Sequence, residues 1–175
     1  PSYYQEYDKL KEKEKIEKAI VMQAPIFNDD GSLAIMNIRS QDNKDRWIVQ
    51  LDLNLGTVIE LDHQHDEAWI GGPGIPGYGF GSGTLGFLKD NQTIFFQSET
   101  TGYSHLYTMN VQTKQKTQLT KGNWEVRAVK LSKDGNYPNN LASFFIEYLN
   151  ATHRFKEDVL EYELGSKTKL SSYKS

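Results

Sequence analysis

Thr93-Ile-Phe-Phe-Gln-Ser98-Glu99, Gly102-Tyr-Ser-His105-Leu-Tyr-Thr-Met-Asn110 and Lys116-Thr-Gln-Leu119-Thr120 follow one another with only turn residues between them. Each run is short and rich in aromatic and β-branched residues, which is strand chemistry. The turn before them, Phe87-Leu-Lys-Asp90-Asn91, completes a unit that the chain repeats. An earlier copy reads Phe27-Asn-Asp-Asp-Gly31, Ala34-Ile-Met-Asn-Ile38-Arg-Ser40, Asp45-Arg-Trp47-Ile-Val-Gln-Leu51-Asp52 and Gly56-Thr-Val-Ile-Glu-Leu61. A later, blurred copy reads Leu131-Ser-Lys-Asp134-Gly135, Ser143-Phe-Phe-Ile-Glu147, Asp158-Val-Leu-Glu-Tyr-Glu-Leu164 and Lys167-Thr-Lys-Leu170. The order of turn, apolar strand, turn, alternating strand and final edge predicts a four-stranded antiparallel blade in each copy.

Leu61, Leu119 and Leu170 recur at spacings of 58 and 51 residues, longer than the roughly 40–50 of a bare propeller blade. The Gly/Pro-rich insertion over 70–83 accounts for the first excess. The expected architecture is all-β: a partial β-propeller of about three blades, over about 26–68, 84–126 and 127–175. A closed ring typically takes about 4–8 blades, so residues 26–175 are expected to be a propeller fragment. The chain starts at Pro1 and shows no signal-type segment, which reads as a processed chain or a piece of a longer one.

Residues 1–25 have a different texture. Lys and Glu are dense from Tyr3 to Val21, with an imperfect apolar stripe through Tyr4, Tyr7, Leu10, Ile16, Ala19 and Ile20. This predicts an N-terminal amphipathic helix and linker, closed off by Pro25 and the Asn28-to-Gly31 turn.

With 175 residues, 37% hydrophobic and 25% charged, the chain has one domain's worth of material. The net charge of −3 and pI of about 5.8 provide no broad basic field for nucleic acid. No run of about 18 apolar residues offers a membrane span. Zero cysteines exclude disulfide and zinc-thiolate scaffolds.

Motifs that suggest chemistry are few. Asp62-His63-Gln64-His65-Asp66-Glu67 puts two imidazoles on one strand face with carboxylates nearby. Without an identifiable third ligand it reads as a hydrogen-bonded turn after a blade's outer strand, not a metal site. Gly71 to Gly83 lacks the Gly-Lys-Ser/Thr ending of a phosphate loop. Ser82 has Phe80 and Thr84 where a nucleophile elbow needs glycines. The insertion is read as a mobile inter-blade loop, with a loop lining a substrate cavity as the alternative. None of His63, His65, His105 and His153 sits in a catalytic context, and no metal or cofactor is expected. The sequons at Asn91 and Asn150 are read as chance occurrences at this length.

Ile94 to Tyr107, with Gln118-Leu-Thr-Lys-Gly122-Asn-Trp124-Glu125-Val126, resembles the later propeller blades of the dipeptidyl peptidase IV branch of the prolyl oligopeptidase family. His65-Asp-Glu-Ala-Trp69-Ile-Gly-Gly-Pro73 and the Arg39-to-Trp47 stretch look like its bacterial members. The resemblance covers about residues 1–135, and Asn136 to Asn140 departs from it. It implies a parent serine peptidase, periplasmic or secreted, with an N-terminal propeller and a C-terminal α/β-hydrolase domain carrying Ser, Asp and His. Such an enzyme releases dipeptides from peptide N-termini. Its propeller walls the cavity, restricts entry and supplies a glutamate pair for the substrate ammonium. That pair has no match in this chain. The family's cavity-facing loop aligns with the Trp69-to-Phe80 insertion, so Trp69, Ile70, Tyr78 and Phe80 are the candidate cavity residues implied. The chain itself is expected to be non-catalytic, with a role in scaffolding and substrate gating. Its expected partners are the missing blades, the hydrolase domain, peptide substrate and further copies of itself. The reading from a different class is a stand-alone propeller that binds a protein partner, like the translocation-associated propellers with similar Asp-Gly repeats.

Overall fold

The computed structural model describes residues 18–76 and 83–131 in full, and the backbone of three further strands over 141–149, 155–163 and 169–171. All elements among them are strands. In the first sheet, β1 (Ile20–Met22) and β2 (Ile26–Phe27) both pair with β3 (Ala34–Ser40), which continues to β4 (Asp45–Asp52) and β5 (Thr57–His65). The second sheet runs β6 (Leu85–Phe87), β7 (Thr93–Ser98), β8 (His105–Asn110) and β9 (Lys116–Gln118). The third runs β10 (Glu125–Leu131), β11 (Leu141–Leu149), β12 (Phe155–Glu163) and β13 (Lys169–Ser171). Every pairing is antiparallel, and all but β1 with β3 join sequential neighbours. This is the three-blade all-β architecture that the repeats predict.

The repeated turns share one device. Asp52 Oδ1 accepts from the Asn54 and Leu55 amides, Asp90 Oδ1 from Gln92 and Thr93, and Asn110 Oδ1 from Gln112 and Thr113. A short acceptor side chain that satisfies the next amides makes the reversal independent of the strands it joins. The turns also meet each other: the Asp29 amide donates to Asn91 Oδ1, and Asn28 Nδ2 to the Asn91 carbonyl. The Asn91 sequon is thereby engaged in joining the first two sheets.

The expected N-terminal helix fails where it can be checked. Residues 18–19 are not helical and Ile20–Met22 is a strand, with Ile20, Val21 and Met22 opposite Ser40, Arg39 and Ile38. The free edge of β3 offers this β-branched pair a ladder, and that outweighs a weak helical stripe. The first sheet therefore begins at Ile20, six residues before the expected 26. The part of the helix expectation from Tyr3 to Glu17 lies outside the described residues.

Packing is layered. One face of the second sheet meets the first through Ile35, Ile48, Leu61, Ile94, Phe96, Tyr107, Met109 and Val111. Its other face meets β10 through Leu88, Leu106, Leu119 and Val126, with Phe95, Trp124, Val129 and Leu131 against them. Ile35, Ile48, Ile94 and Phe96 are completely buried, and each contributes about 1.5–3 kcal/mol by leaving water.

Phe96→Ala is expected to cost about 3–5 kcal/mol, because it opens a cavity between the first two sheets. Phe27→Ala, at a half-exposed ring, should cost about 1 kcal/mol or less. Chemical denaturation of the two variants checks the difference, and equal losses would contradict the layered core.

Candidate functional site

The insertion between the first two sheets is the segment most suited to a site, and its described part is pinned. The Ile70 amide donates to the Asn43 carbonyl at 2.7 Å, and the Ile70 and Ile75 side chains are buried. The Gly71 amide donates to Glu99 Oε2 at 3.1 Å. The Pro73 carbonyl accepts from Ser104 Oγ at 2.6 Å and from Gln97 Nε2 at 3.1 Å. A Cβ on Gly72 would lie 2.0 Å from Glu99 Oε1, and one on Gly74, at φ +71°, 1.9 Å from Gln97 Oε1. Glycine is what lets the backbone approach these side chains so closely. The expected mobile loop is thus, over 70–76, a segment tied down by β7 and the start of β8.

Of the four candidate cavity residues, Trp69 is 71% exposed and Ile70 is buried. Tyr78 and Phe80 lie outside the described residues. Trp69 projects from a turn in which Asp66 Oδ1 accepts from the Ala68 and Trp69 amides.

Gln97 was not singled out by the sequence, yet its completely buried side chain joins three elements. Its Nε2 donates to the Pro73 carbonyl and, at 2.7 Å, to the Val126 carbonyl of β10; its Oε1 accepts from Thr84 Oγ1 at 2.6 Å. Its backbone carbonyl accepts from Arg46 Nη1 at 2.6 Å. The available signal was a carboxamide inside an apolar strand, where burial demands partners.

The two imidazoles of Asp62-to-Glu67 do share a face, and the structure supplies their partner from β4. Asp45 sits opposite His65, and Trp47 opposite His63 with its ring stacked on the imidazole at 5.0 Å. Asp45 Oδ1 accepts from His63 Nε2 at 2.9 Å and His65 Nδ1 at 2.8 Å, and Asp45 Oδ2 from Lys18. His65 Nε2 faces Glu67 Oε1 at 3.3 Å. Burial pushes the Asp45 carboxyl up, but the hydrogen bonds from Lys18, His63 and His65 outweigh it and hold it well below the usual range. The Asp45 hydrogen bond, then the Glu67 one, raises His65. With a carboxylate on each ring nitrogen, His65 acts as a double donor, which is the imidazolium form. Among the described residues no group of three or more His, Asp or Glu side chains is arranged to hold a metal ion. The cluster is a staple between β4, β5 and the N-terminal segment.

His105 is a different kind of histidine. It is buried, with Nε2 donating to the Gly122 carbonyl at 3.0 Å, Nδ1 3.1 Å from Thr120 Oγ1, and Trp124 edge-on at 5.1 Å. Burial pushes its pKa down. At Gly122 a Cβ would meet Trp124 Nε1 at 2.2 Å. The two halves of the motif that carried the resemblance, His105 and Gly122-x-Trp124, are one packed contact.

The pH dependence has two limbs. His65 is raised, so its contribution to stability is complete below the unfolded value of about 6.5 and lost as pH rises through the folded pKa. Asp45 is depressed, so its contribution is complete above about 3.9 and lost as pH falls further. His65→Gln should therefore lose more stability relative to the parent at pH 5 than at pH 9. Asp45→Asn should flatten the acid limb. Urea unfolding across that range measures both, and parallel curves for parent and His65→Gln would contradict the staple.

Among the described residues no helix is long and apolar enough to cross a membrane. No curated protein sequence matches the chain. Solved structures that share its fold include a putative dipeptidyl aminopeptidase IV from Bacteroides ovatus, with a TM-score of 0.58 at 15% identity, and dipeptidyl peptidase 4 from Porphyromonas gingivalis, with 0.55 at 12%. The aligned region covers 80% and 82% of this chain but only 21% and 20% of theirs. The model of the dipeptidyl peptidase IV (DPP IV) N-terminal region matches residues 12–137. The chain therefore belongs to that family, as part of its N-terminal propeller region.

Proposed function

We propose that this chain is a non-catalytic part of the propeller of a serine-type exopeptidase that releases dipeptides from peptide N-termini. Its work there is to scaffold the enzyme and to wall and gate the substrate cavity. The observation that carries the reading is the family match over 12–137, in a chain that spans about one fifth of two dipeptidyl peptidases with its fold. Trp69, Tyr78 and Phe80 are the proposed contacts of the loop with substrate, with Ile70 anchoring it from the core side. Reaction chemistry belongs to an α/β-hydrolase domain outside these residues, in a periplasmic or secreted enzyme.

The sheet count supports a larger assembly. Among the described residues, one five-stranded and two four-stranded sheets fall short of the about four to eight blades that close a propeller. On β1 and β2, Met22 and Phe27 are 63% and 53% exposed. The proposed partners are the remaining blades and the hydrolase domain, and in their absence further copies of the chain.

Three measurements test the reading. The purified chain should not hydrolyse a dipeptidyl chromogenic substrate, and serine-dependent turnover would overturn the non-catalytic role. Light scattering at high concentration should show self-association, and a clean monomer would count against uncovered blade faces. The parental reading frame should encode Gly-x-Ser-x-Gly and later Asp and His beyond Ser175, and a stop codon shortly after that position would sink the peptidase assignment.

A further inference from the structure

The hairpin of β4 and β5 turns apolar side chains outward. Over Leu53-Asn-Leu55-Gly-Thr-Val58-Ile59 no residue is charged, in a chain that is 25% charged. Leu53, Leu55, Val58 and Ile59 are 51%, 75%, 55% and 40% exposed. Single exposed apolar residues are ordinary, but four within one short hairpin segment form a patch of the kind that marks an interaction surface.

The strand that carries the patch is an open edge. Among the described residues β5 pairs with β4 alone, so its other side presents backbone donors and acceptors to which a further strand can add. From Glu60 onward, lysines of the second sheet occupy the strand: Lys114 Nζ donates to the Glu60 carbonyl at 2.9 Å and Lys116 Nζ to Asp62 Oδ1 at 2.7 Å. Charged side chains, prolines and bulges are what usually keep an edge from pairing. Thr57, Val58 and Ile59 include none of them, and all three are β-branched.

We propose that Thr57–Ile59 is the docking edge for a second copy of this chain, added antiparallel about a two-fold axis at Val58. A two-fold contact needs a surface complementary to itself, and charge selects the register. With Val58 opposite its counterpart, Thr57 lies opposite Ile59 and Glu60 opposite Gly56, so no carboxylate faces another. An axis at Glu60 would set two carboxylates directly opposite, which is destabilising. In the Val58 register β-branched side chains of the two copies adjoin on both faces of the added strand, the pairing that stabilises a sheet. The proposal rests on the self-association proposed above and names its surface. It uses a strand edge, not the faces on which neighbouring blades stack.

The chain has no cysteine, so one substitution on the 175-residue chain reports the contact directly. Residues opposite each other on antiparallel strands bring their Cβ atoms to about 4.5–5.5 Å, near the span of a disulfide. Under mild oxidation Val58→Cys should therefore form a covalent dimer on a non-reducing gel about tenfold faster than Met22→Cys, which is similarly exposed on β1. In sedimentation equilibrium Val58→Lys should weaken self-association about tenfold or more, because the two introduced ammonium groups would face each other across the axis. Equal cross-linking of the two cysteine variants, or association unchanged by Val58→Lys, would overturn this surface and leave the blade faces as the contact. A parent chain that stays monomeric at high concentration would overturn both.

Discussion

The carboxamide of Gln97 is the constraint on which the arrangement of the described sheets depends. From the middle of the second sheet it reaches the Val126 carbonyl of the third, the Pro73 carbonyl of the connecting loop and the Thr84 hydroxyl at the entry to β6. Its own backbone carbonyl receives the Arg46 guanidinium of the first sheet. Apolar layers such as Phe96 against Ile48 and Leu106 against Val126 supply most of the free energy, but they are non-directional. Directional bonds in a dry interior fix how one sheet is rotated over the next, because leaving any of them unmade costs about 1–3 kcal/mol. Gly74 shows how tight this node is: its carbonyl accepts from the Thr84 amide while its α-carbon faces the Gln97 amide with no room for a methyl group.

Much of the fold was legible in the sequence because blades repeat local chemistry. Asp and Asn at the strand ends make the same reversal at Asp52, Asp90 and Asn110, and a turn that satisfies its own amides can be read without knowing its surroundings. The blurred third copy still yielded strands Leu141–Leu149 and Phe155–Glu163, since Phe144-Phe145-Ile146 and Val159-Leu160 carry the strand signal. The helix expected to run to Val21 gives way to a strand at Ile20 for the opposite reason. Its helical stripe is local and weak, and the competing ladder comes from Ile38 to Ser40, which local reading does not see.

The candidate site was legible in pieces. His63 and His65 lie on one face as the i,i+2 spacing requires, but their partner Asp45 is set by cross-strand register, opposite His65. The Gly/Pro-rich loop suggested freedom because glycine is permissive. In its described part the glycines serve close approach instead, with Glu99 and Gln97 packed against Gly72 and Gly74. His105, Gly122 and Trp124 carried the family resemblance as separated letters and turn out to be one contact, which gives those positions a packing reason.

The most direct measurement is amide hydrogen exchange on a Gln97→Leu variant, which keeps the side-chain volume close and removes the carboxamide. The account predicts faster exchange at the Ile75, Thr84 and Val126 amides, whose bonds to Gly72, Gly74 and Ser104 sit around the lost node. Protection within the β4–β5 ladder should persist. Unchanged exchange at all three amides would contradict the claim that Gln97 holds the loop and the neighbouring sheets in place.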